Sequence, residues 1–594
     1  MENIRYLIGI DFGHGETTAS VYDLVEDRLT PLNIKNAADS ERKKIESCVF
    51  RNPQTGAWSL TENNAWDIFT QFKAPVGELE NDPTKREAFA MFVQLVFDNI
   101  LQYNSQLIYD PGAGRKNFLL YAACPSGWGQ ATGHEDEIER YRRFLSELIP
   151  VEWVVKESDA AFFKFRNDAN TGSVLVIDLG SSTIDITCYG TADQRGPWGF
   201  ANGASMVENS IYHHARRNID GVEQAIAQVR RQLQSEGENI INFDFRTLRH
   251  IKHTKENYYT DRSAYFLLDA RGRDIYSKLS GQRIFDGIEF DHEQMTHILA
   301  DYHHTLLDNL REVAGEVTPD NVILTGGASR MPWVQTLVGQ VFPKANLMVD
   351  SNPSYVVSDG VALYAYAKHT IDQRWPEFQN KVNNRFTDSY ISTQLNAAFT
   401  DAMRDIFLPR LQAIADSFTN GTATDSSGVC SISAFFDGVR RLNQTIINDN
   451  SGTIVSRIRD VFNRQLSDSI HADIEALFRQ TYGISIPFDI DMKLKVTLNG
   501  TFDDSTDQRL VELMGEDAFL PFGIGMLNLS KDRSGAENRD KRRRFGEKFI
   551  NAYRNDITFV VINELQSRFI TAIHSEIHRV MNDLQQKAPF ATYR

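Results

Sequence analysis

Cysteine is scarce, four in 594 residues, and Cys48, Cys124, Cys188 and Cys430 lie far apart in the chain. That spacing excludes a disulfide framework and a zinc module, and three of the four sit in apolar strand patterns, so they read as buried thiols. Nowhere does an apolar run approach the ~18 residues that a spanning helix needs. The Met1 to Arg5 start has no basic region leading into an apolar one, so a soluble, cytoplasmic chain without membrane contact is expected. Positive charge is short as well: 63 Lys and Arg against 79 Asp and Glu give a net charge of −16. Phosphate contacts supply most non-specific nucleic-acid affinity and need a basic face, so this balance argues against a nucleic-acid partner. The one basic cluster, Arg539 to Arg544, reads as the solvated start of a helix.

What is present is ample core material, 41% hydrophobic residues in a chain long enough for two to four domains. One stretch organises the reading: Val174-Leu-Val-Ile-Asp178-Leu-Gly180-Ser-Ser-Thr183-Ile-Asp185-Ile-Thr-Cys-Tyr189. Aliphatic residues run into an acid, a glycine and small hydroxyls, and a second apolar run follows, which predicts a buried strand, a tight turn and a return strand. Such a turn can be a hairpin and nothing more. It can also gather backbone N–H groups and the Ser182 and Thr183 hydroxyls around an anion, with Asp178 as a hard oxygen ligand for a phosphate-bound cation.

A second copy favours the anion. Tyr6-Leu-Ile-Gly-Ile-Asp11-Phe-Gly13-His-Gly15-Glu-Thr17-Thr18-Ala-Ser-Val-Tyr22 repeats the order of strand, aspartate, glycine-bearing turn, hydroxyl pair and strand. Two such turns facing one another would clamp a polyphosphate. A third segment, Asn321 to Pro332, joins a buried strand to a double glycine and a helix-opening proline. Gly326 and Gly327 let the backbone approach a flat ligand, and Arg330 can lay its guanidinium on a base.

In this order the three segments resemble the two phosphate loops and the adenosine loop of the actin-like ATPase superfamily, most closely those of the seventy-kilodalton heat-shock (DnaK-type) chaperones. Leu119 to Pro125, Val154 to Phe162 and Asn352 to Ala362 look like the family's connecting segments, so the resemblance covers about residues 1–370. It implies an α/β fold of two lobes built from duplicated ribonuclease-H-like subdomains, with ATP or ADP and Mg2+ as cofactors. It also implies roles for single residues. Asp11, Asp178 and Asp185 would serve the metal. Gly13, Gly15, Thr17 and Thr18 would form the first phosphate loop, and Gly180, Ser181, Ser182 and Thr183 the second, with Gly203 meeting the phosphates. Lys255, Gly326, Gly327 and Arg330 would serve the nucleoside. Lys73, in Gln71-Phe-Lys-Ala-Pro75, is either a surface lysine or the group that neutralises charge on the transferring phosphoryl. Glu157 is either a helix first-turn acid, a water-orienting carboxylate, or both. With Asp178 these are the catalytic candidates.

The chain departs from the family pattern in three places. His14-Gly15-Glu16 precede the threonine pair, which reads as a longer first turn whose added carboxylate repels a nucleotide unless Glu16 points away or serves a metal. Ser181 and Ser182 stand where the family has glycines. Lys252-His-Thr-Lys255-Glu256 replaces the family's Glu-x-x-Lys-Arg array, which leaves the base less defined than the triphosphate.

The reading divides the chain into a nucleotide-binding domain over 1–372, with lobes inserted near 35–112 and 215–295, and a mainly helical module over 373–594 that begins where Trp375-Pro376 breaks a helix. Stripes from Ile454 to Phe478 and from Phe545 to Val580 predict long helices that pack on each other or on a partner. Phe488 to Leu498 alternates as a strand, Gly421 to Gly428 reads as a loop, and Phe519 to Leu527 as a buried connection or an exposed tip. The leading expectation is a slowly hydrolysing, heat-shock-like switch whose C-terminal helices engage a protein partner or a second copy. An actin-like filament-forming ATPase and a small-molecule kinase of the same fold are the alternatives.

Overall fold

The apolar runs that flank Asp11 and Asp178 become the central strands of two sheets. The computed structural model describes residues 4–591 apart from 36–42, 64, 129–135, 166–171, 191–195, 238, 262–264, 267–269, 281–287, 425–427, 429, 448–452, 487–493, 495–535 and 553–557. In the first sheet, β1 (Tyr6–Phe12) pairs antiparallel with β2 (Glu16–Asp23), which pairs antiparallel with β3 (Arg28–Pro31). On its other edge β1 pairs in parallel with β4 (Phe118–Cys124), and β4 in parallel with β5 (Val151–Lys156).

The second sheet repeats that five-strand order, to which the first adds a short strand, Lys44–Glu46, antiparallel to β2. Here β6 (Val174–Leu179) pairs antiparallel with β7 (Ile184–Tyr189), which pairs antiparallel with β8 (Trp198–Phe200). On the other side β6 pairs in parallel with β9 (Asn321–Thr325), and β9 with β10 (Asn346–Val349). Every residue of β6 and β7 is buried, as expected of strands covered on both faces, which read as unbroken apolar runs. The α/β class read from the sequence is therefore present as one topology used twice.

Each repeat carries an insertion, between β3 and β4 in the first and between β8 and β9 in the second. The first carries the three-stranded sheet of Cys48–Arg51, Trp58–Ser59 and Asp67–Thr70, and the helix Pro83–Tyr103, whose N-terminus is capped by Asp82. The second carries the helices Val222–Ser235, Ile240–Asp261 and Ala270–Ser280. The two repeats are joined through the start of the helix Val356–Arg385. Gly9 of β1 lies against the Ser358 carbonyl, and Gly360 lies against the Ala160 carbonyl, so neither position has room for a side chain. Thr18 and Ser20 of β2 donate hydroxyls to Ser358 at 3.0 Å and to Asp359 at 2.5 Å. Asp359 also takes an ion pair from Lys164 at 2.7 Å.

Contacts divide the chain into two units, one ending at Thr370 and one starting at Ile371. The second unit is helical and holds its own core, in which Ile454, Ile458, Phe462, Ile470, Ile474 and Phe478 from one stripe and Leu565, Phe569, Ile573 and Val580 from the other are all buried. Trp375-Pro376 does not end a helix: Val356–Arg385 runs through Pro376 without a break. An interior proline costs about 3 kcal/mol or more. Burial of Trp375, Phe378, Val382 and Phe386 in the core of the second unit offsets that cost. The alternating segment 488–498 apart from Leu494, the stretch 519–527, positions 553 and 557 of the last stripe, and most of the loop after Ala423 lie outside the described residues.

Candidate functional site

The two central aspartates sit at the same place in the two repeats. Phe12 pairs with Thr17 and Leu179 with Ile184, so each hairpin turn holds four residues, Gly13 to Glu16 and Gly180 to Thr183. The first turn is therefore as long as the second. One residue earlier on each strand, Asp11 pairs with Thr18 and Asp178 with Asp185. The opening glycine of each turn faces the carbonyl of its fourth residue: a β-carbon on Gly180 would lie 3.0 Å from the Thr183 oxygen, and one on Gly13 would lie closer still to the Glu16 oxygen.

This register moves the threonine pair. Thr17 and Thr18 correspond to Ile184 and Asp185 of the second repeat, not to Ser182 and Thr183, and they lie inside β2 rather than in the turn. Thr17 shares a 3.0 Å hydrogen bond with Ser47, and Thr18 donates to Ser354 and Ser358, so both hydroxyls are buried and used internally. Glu16, the added carboxylate, points away from the facing turn. It pairs with Lys44 at 3.2 Å and accepts from the Ser354 hydroxyl at 3.0 Å. Burial opposes its charge, but Lys44, Lys252 and Ser354 outweigh it and hold its pKa below the ordinary value.

The turns do face one another. A β-carbon on Gly15 would lie 3.6 Å from the Ser181 β-carbon and 3.6 Å from the Lys252 ammonium, and Lys252 donates to the Gly15 carbonyl at 3.1 Å. Gly203 lies directly on the second turn, where the N–H groups of Gly203, Ala204 and Ser205 donate to the carbonyls of Ser182, Gly180 and Ser181. Gly203 thus supports the turn, and the close approach leaves no room for a side chain.

Below the turns lies a buried charge cluster. Lys73 pairs with Glu157 at 2.7 Å and stands 3.7 Å from Asp11, and the lysine side chain is only 5% exposed, so it is not a surface residue. Burial works against its charge, yet Glu157 and Asp11 outweigh it and raise its pKa above the usual lysine value. Asp11 is pushed up to about 7 by burial and by Glu157, against the pull of Lys73, and one of its carboxylate oxygens is buried without a hydrogen-bond partner. Asp185 is pushed up to about 6 by burial and then Glu157, although the Thr183 hydroxyl and the Gly127 N–H donate to it at 2.9 and 2.8 Å. Asp178 is held well above the usual carboxylate range by burial, Glu157, Asp185 and Asp11.

Four carboxylates thus gather around one ammonium, and Glu157 raises the pKa of all three aspartates because too little positive charge faces them. That donor chemistry fits a hard divalent cation: several carboxylates gathered beside two glycine-opened turns, with one Asp11 oxygen lacking a hydrogen bond. Among the described residues no three such side chains close a coordination shell by themselves. Mg2+ binds in that manner, through one or two carboxylates, waters and phosphate oxygens.

On the nucleoside side, Gly326 opens the turn after β9 with a φ of +84°, and its α-carbon lies against the Leu179 carbonyl and the Asp178 carboxylate. Gly327 has open space where a β-carbon would stand. Arg330 is exposed and donates to Ser354 at 2.7 Å, which links it through that hydroxyl to Glu16. Lys255 is not at the mouth of the site, because it is spent on a buried 2.6 Å pair with Glu208. Lys252, one turn earlier on the same helix, reaches the turns instead. Reading the sequence missed Lys252, Lys44, Ser354 and Gly127. For Lys252 a signal was available, since it begins the same Lys-x-x-Lys array.

No family model matches the chain. Among solved structures, it is similar to a crystal structure of MreB 5 of Spiroplasma citri bound to AMPPNP, with a TM-score of 0.42 and 14% identity over 62% of this chain and 98% of that one. It is similar also to MreB5 of Spiroplasma citri bound to ADP, with a TM-score of 0.40 and 13% identity over 61% of this chain and 96% of that one.

Proposed function

We propose that the first unit is a Mg2+-dependent ATPase of the actin-like type, which holds the phosphates of ATP between its two hairpin turns and hydrolyses the nucleotide slowly. The observation that carries this reading is the pair of matched four-residue turns, each set one strand position beyond an aspartate in the same sheet order, brought face to face at Gly15 and Ser181. Asp11 and Asp178 would hold the cation, with Asp185 behind them. Bound there, Mg2+ would offset charge that develops on the phosphoryl oxygens. Lys73 is kept charged by Glu157 and Asp11, and it would face the terminal phosphoryl group. Glu157, held in place by that ion pair, would orient water. Lys252 would meet phosphate oxygens at the mouth, and Gly326 and Gly327 would let the nucleoside lie on the backbone.

An actin-like filament fits these observations at least as well as a heat-shock-like switch. Both need only this site, and the described part of the second unit is helical, with no peptide-binding sandwich among the described residues. Light scattering with and without Mg-ATP separates the two. Phosphate release with no added acceptor, together with a rise in thermal midpoint on adding Mg-ATP, tests the ATPase itself; neither effect in the intact chain would remove the proposal. Release that depends on a small-molecule acceptor would point to the kinase alternative.

A further inference from the structure

The corner that follows β4 belongs to the first repeat, and it meets the second repeat at Asp185. The Gly127 N–H donates to Asp185 Oδ1 at 2.8 Å, and the Thr183 hydroxyl of the second turn donates to Oδ2 at 2.9 Å. Both carboxylate oxygens are thus engaged, and Asp185 is only 2% exposed. The corner comes too close to carry a side chain: a β-carbon on Gly127 would stand 3.2 Å from Asp185 Oδ1 and 3.8 Å from the α-carbon of Gly199 in β8. From the corner the bonding runs on toward Glu157. The Ser126 hydroxyl donates to the Ser158 hydroxyl at 2.8 Å and accepts the Ser158 N–H at 2.9 Å. Ser158 follows Glu157 in the first turn of the helix Glu157–Phe165. Tyr189, at the other end of β7, donates to Asp159 of that turn at 2.5 Å. A continuous path of hydrogen bonds and adjoining residues therefore joins the second turn, through Asp185, to the backbone that carries Glu157.

Resting on the ATPase reading above, we propose that Asp185 is a positioning residue, which fixes the second turn and the phosphates held there relative to Glu157 and its water, and that it does not ligate the cation. Its two oxygens already face a main-chain N–H and a hydroxyl, so a cation that took either one would have to displace a donor whose hydrogen points at it. Asp11, by contrast, keeps a carboxylate oxygen without a hydrogen bond. The two bonds to Asp185 also come from different repeats, and hydrogen bonds to an ionised carboxylate are the short, strong kind that can hold such a junction. A misplacement of about 1 Å in a catalytic site can cost about a hundredfold in rate. Preventing it is the contribution assigned to Asp185.

The test uses the intact chain and three readouts: steady-state phosphate release, ATP affinity by titration in excess Mg2+, and the Mg2+ concentration for half-maximal release at saturating ATP. Asp185→Ala removes both bonds and is expected to lower kcat by about 10- to 100-fold, with ATP affinity and Mg2+ requirement within about threefold. Asp185→Asn returns an oxygen for the Gly127 N–H and an amide donor for the Thr183 oxygen, and it should recover most of that loss. Gly127→Ala presses on the same oxygen from the other repeat, leaves every charge in place, and should lower kcat in the same direction. A Mg2+ requirement raised about tenfold or more in Asp185→Asn would make the residue a ligand and overturn this inference alone. So would an unchanged kcat in either alanine variant, or equal losses of ATP affinity and kcat that Asp185→Asn does not restore. A wild type that binds Mg-ATP but releases no phosphate overturns the ATPase reading, and this inference with it.

Discussion

The two hairpin turns hold the same place in two copies of one sheet order and are filled differently. Each begins with a glycine that faces the carbonyl three residues on, and each follows a strand whose penultimate residue is an aspartate, half-buried in the first and buried in the second. Between those points the first turn has an imidazole, a glycine and an acid tied to Lys44, whereas the second has three hydroxyl residues, one of them bonded to Asp185. The larger difference lies beneath. Asp11 has Lys73 within 3.7 Å, but Asp178 is surrounded by Glu157, Asp185 and Asp11. The repeat thus supplies a common backbone frame, and in the proposed ATPase the asymmetry of charge would decide which half faces the transferring group and which half takes the cation.

The sharpest way to break that asymmetry is to remove the lysine. Lys73→Ala leaves Glu157 and Asp11 buried without a counter-ion, and urea unfolding should show a loss of about 3–5 kcal/mol. Glu157→Gln keeps the shape and should be milder in stability, while turnover falls by about one or two orders of magnitude at affinity within a few-fold. Next in size is ligand stabilisation. Mg-ATP at a hundredfold excess over its Kd should stabilise the wild type by about 2.7 kcal/mol. Asp178→Ala should abolish most of the midpoint shift; a variant that keeps the full shift would remove the metal role from Asp178.

The glycines offer a comparison within the turns. Gly13→Ala drives a β-carbon into the Glu16 carbonyl, whereas Gly180→Ala meets the Thr183 oxygen at 3.0 Å. The first should cost about 1–3 kcal/mol and the second clearly less, as read by thermal unfolding. Equal costs would mean that the two opening glycines have the same clearance, contrary to these distances.

Proton linkage gives a smaller effect. The folded pKa values of Asp11 and Asp185 are raised to about 7 and about 6, so in the nucleotide-free protein their contribution is present below the ordinary carboxylate range and is lost as pH rises through those values. Apo stability should therefore fall from pH 4 towards 7 through these groups. The Mg-ATP midpoint shift should grow over the same window, because the cation takes the ionised forms. A shift independent of pH would place the cation elsewhere. The smallest difference concerns the two lysines of one helix: Lys252→Ala should weaken nucleotide affinity by about tenfold, some 1.4 kcal/mol, while Lys255→Ala should act on folding through Glu208.

The patterns that could be read along the chain were those with a local cause. Unbroken apolar runs into Asp11, Asp178 and Asn321 to Thr325 specified buried strands, and the glycine after each run marked a place where backbone needs room. Stripes at three- and four-residue steps specified the helices of the second unit, whose cores they line. What could not be read were matters of register and distant company. Thr17 and Thr18 looked like turn hydroxyls until pairing with β1 placed them in a strand, and Ser354 and Ser358, the partners of Thr18, lie more than 330 residues away. Lys73 as a buried counter-ion, Glu16 as a neutralised acid and Lys252 in place of Lys255 were likewise settled by packing. So was the helix that continues through Pro376. Periodicity and propensity are properties of neighbouring residues, whereas charge balance and the choice of hydrogen-bond partner are set by which segments meet in space, and only the tertiary fold decides that.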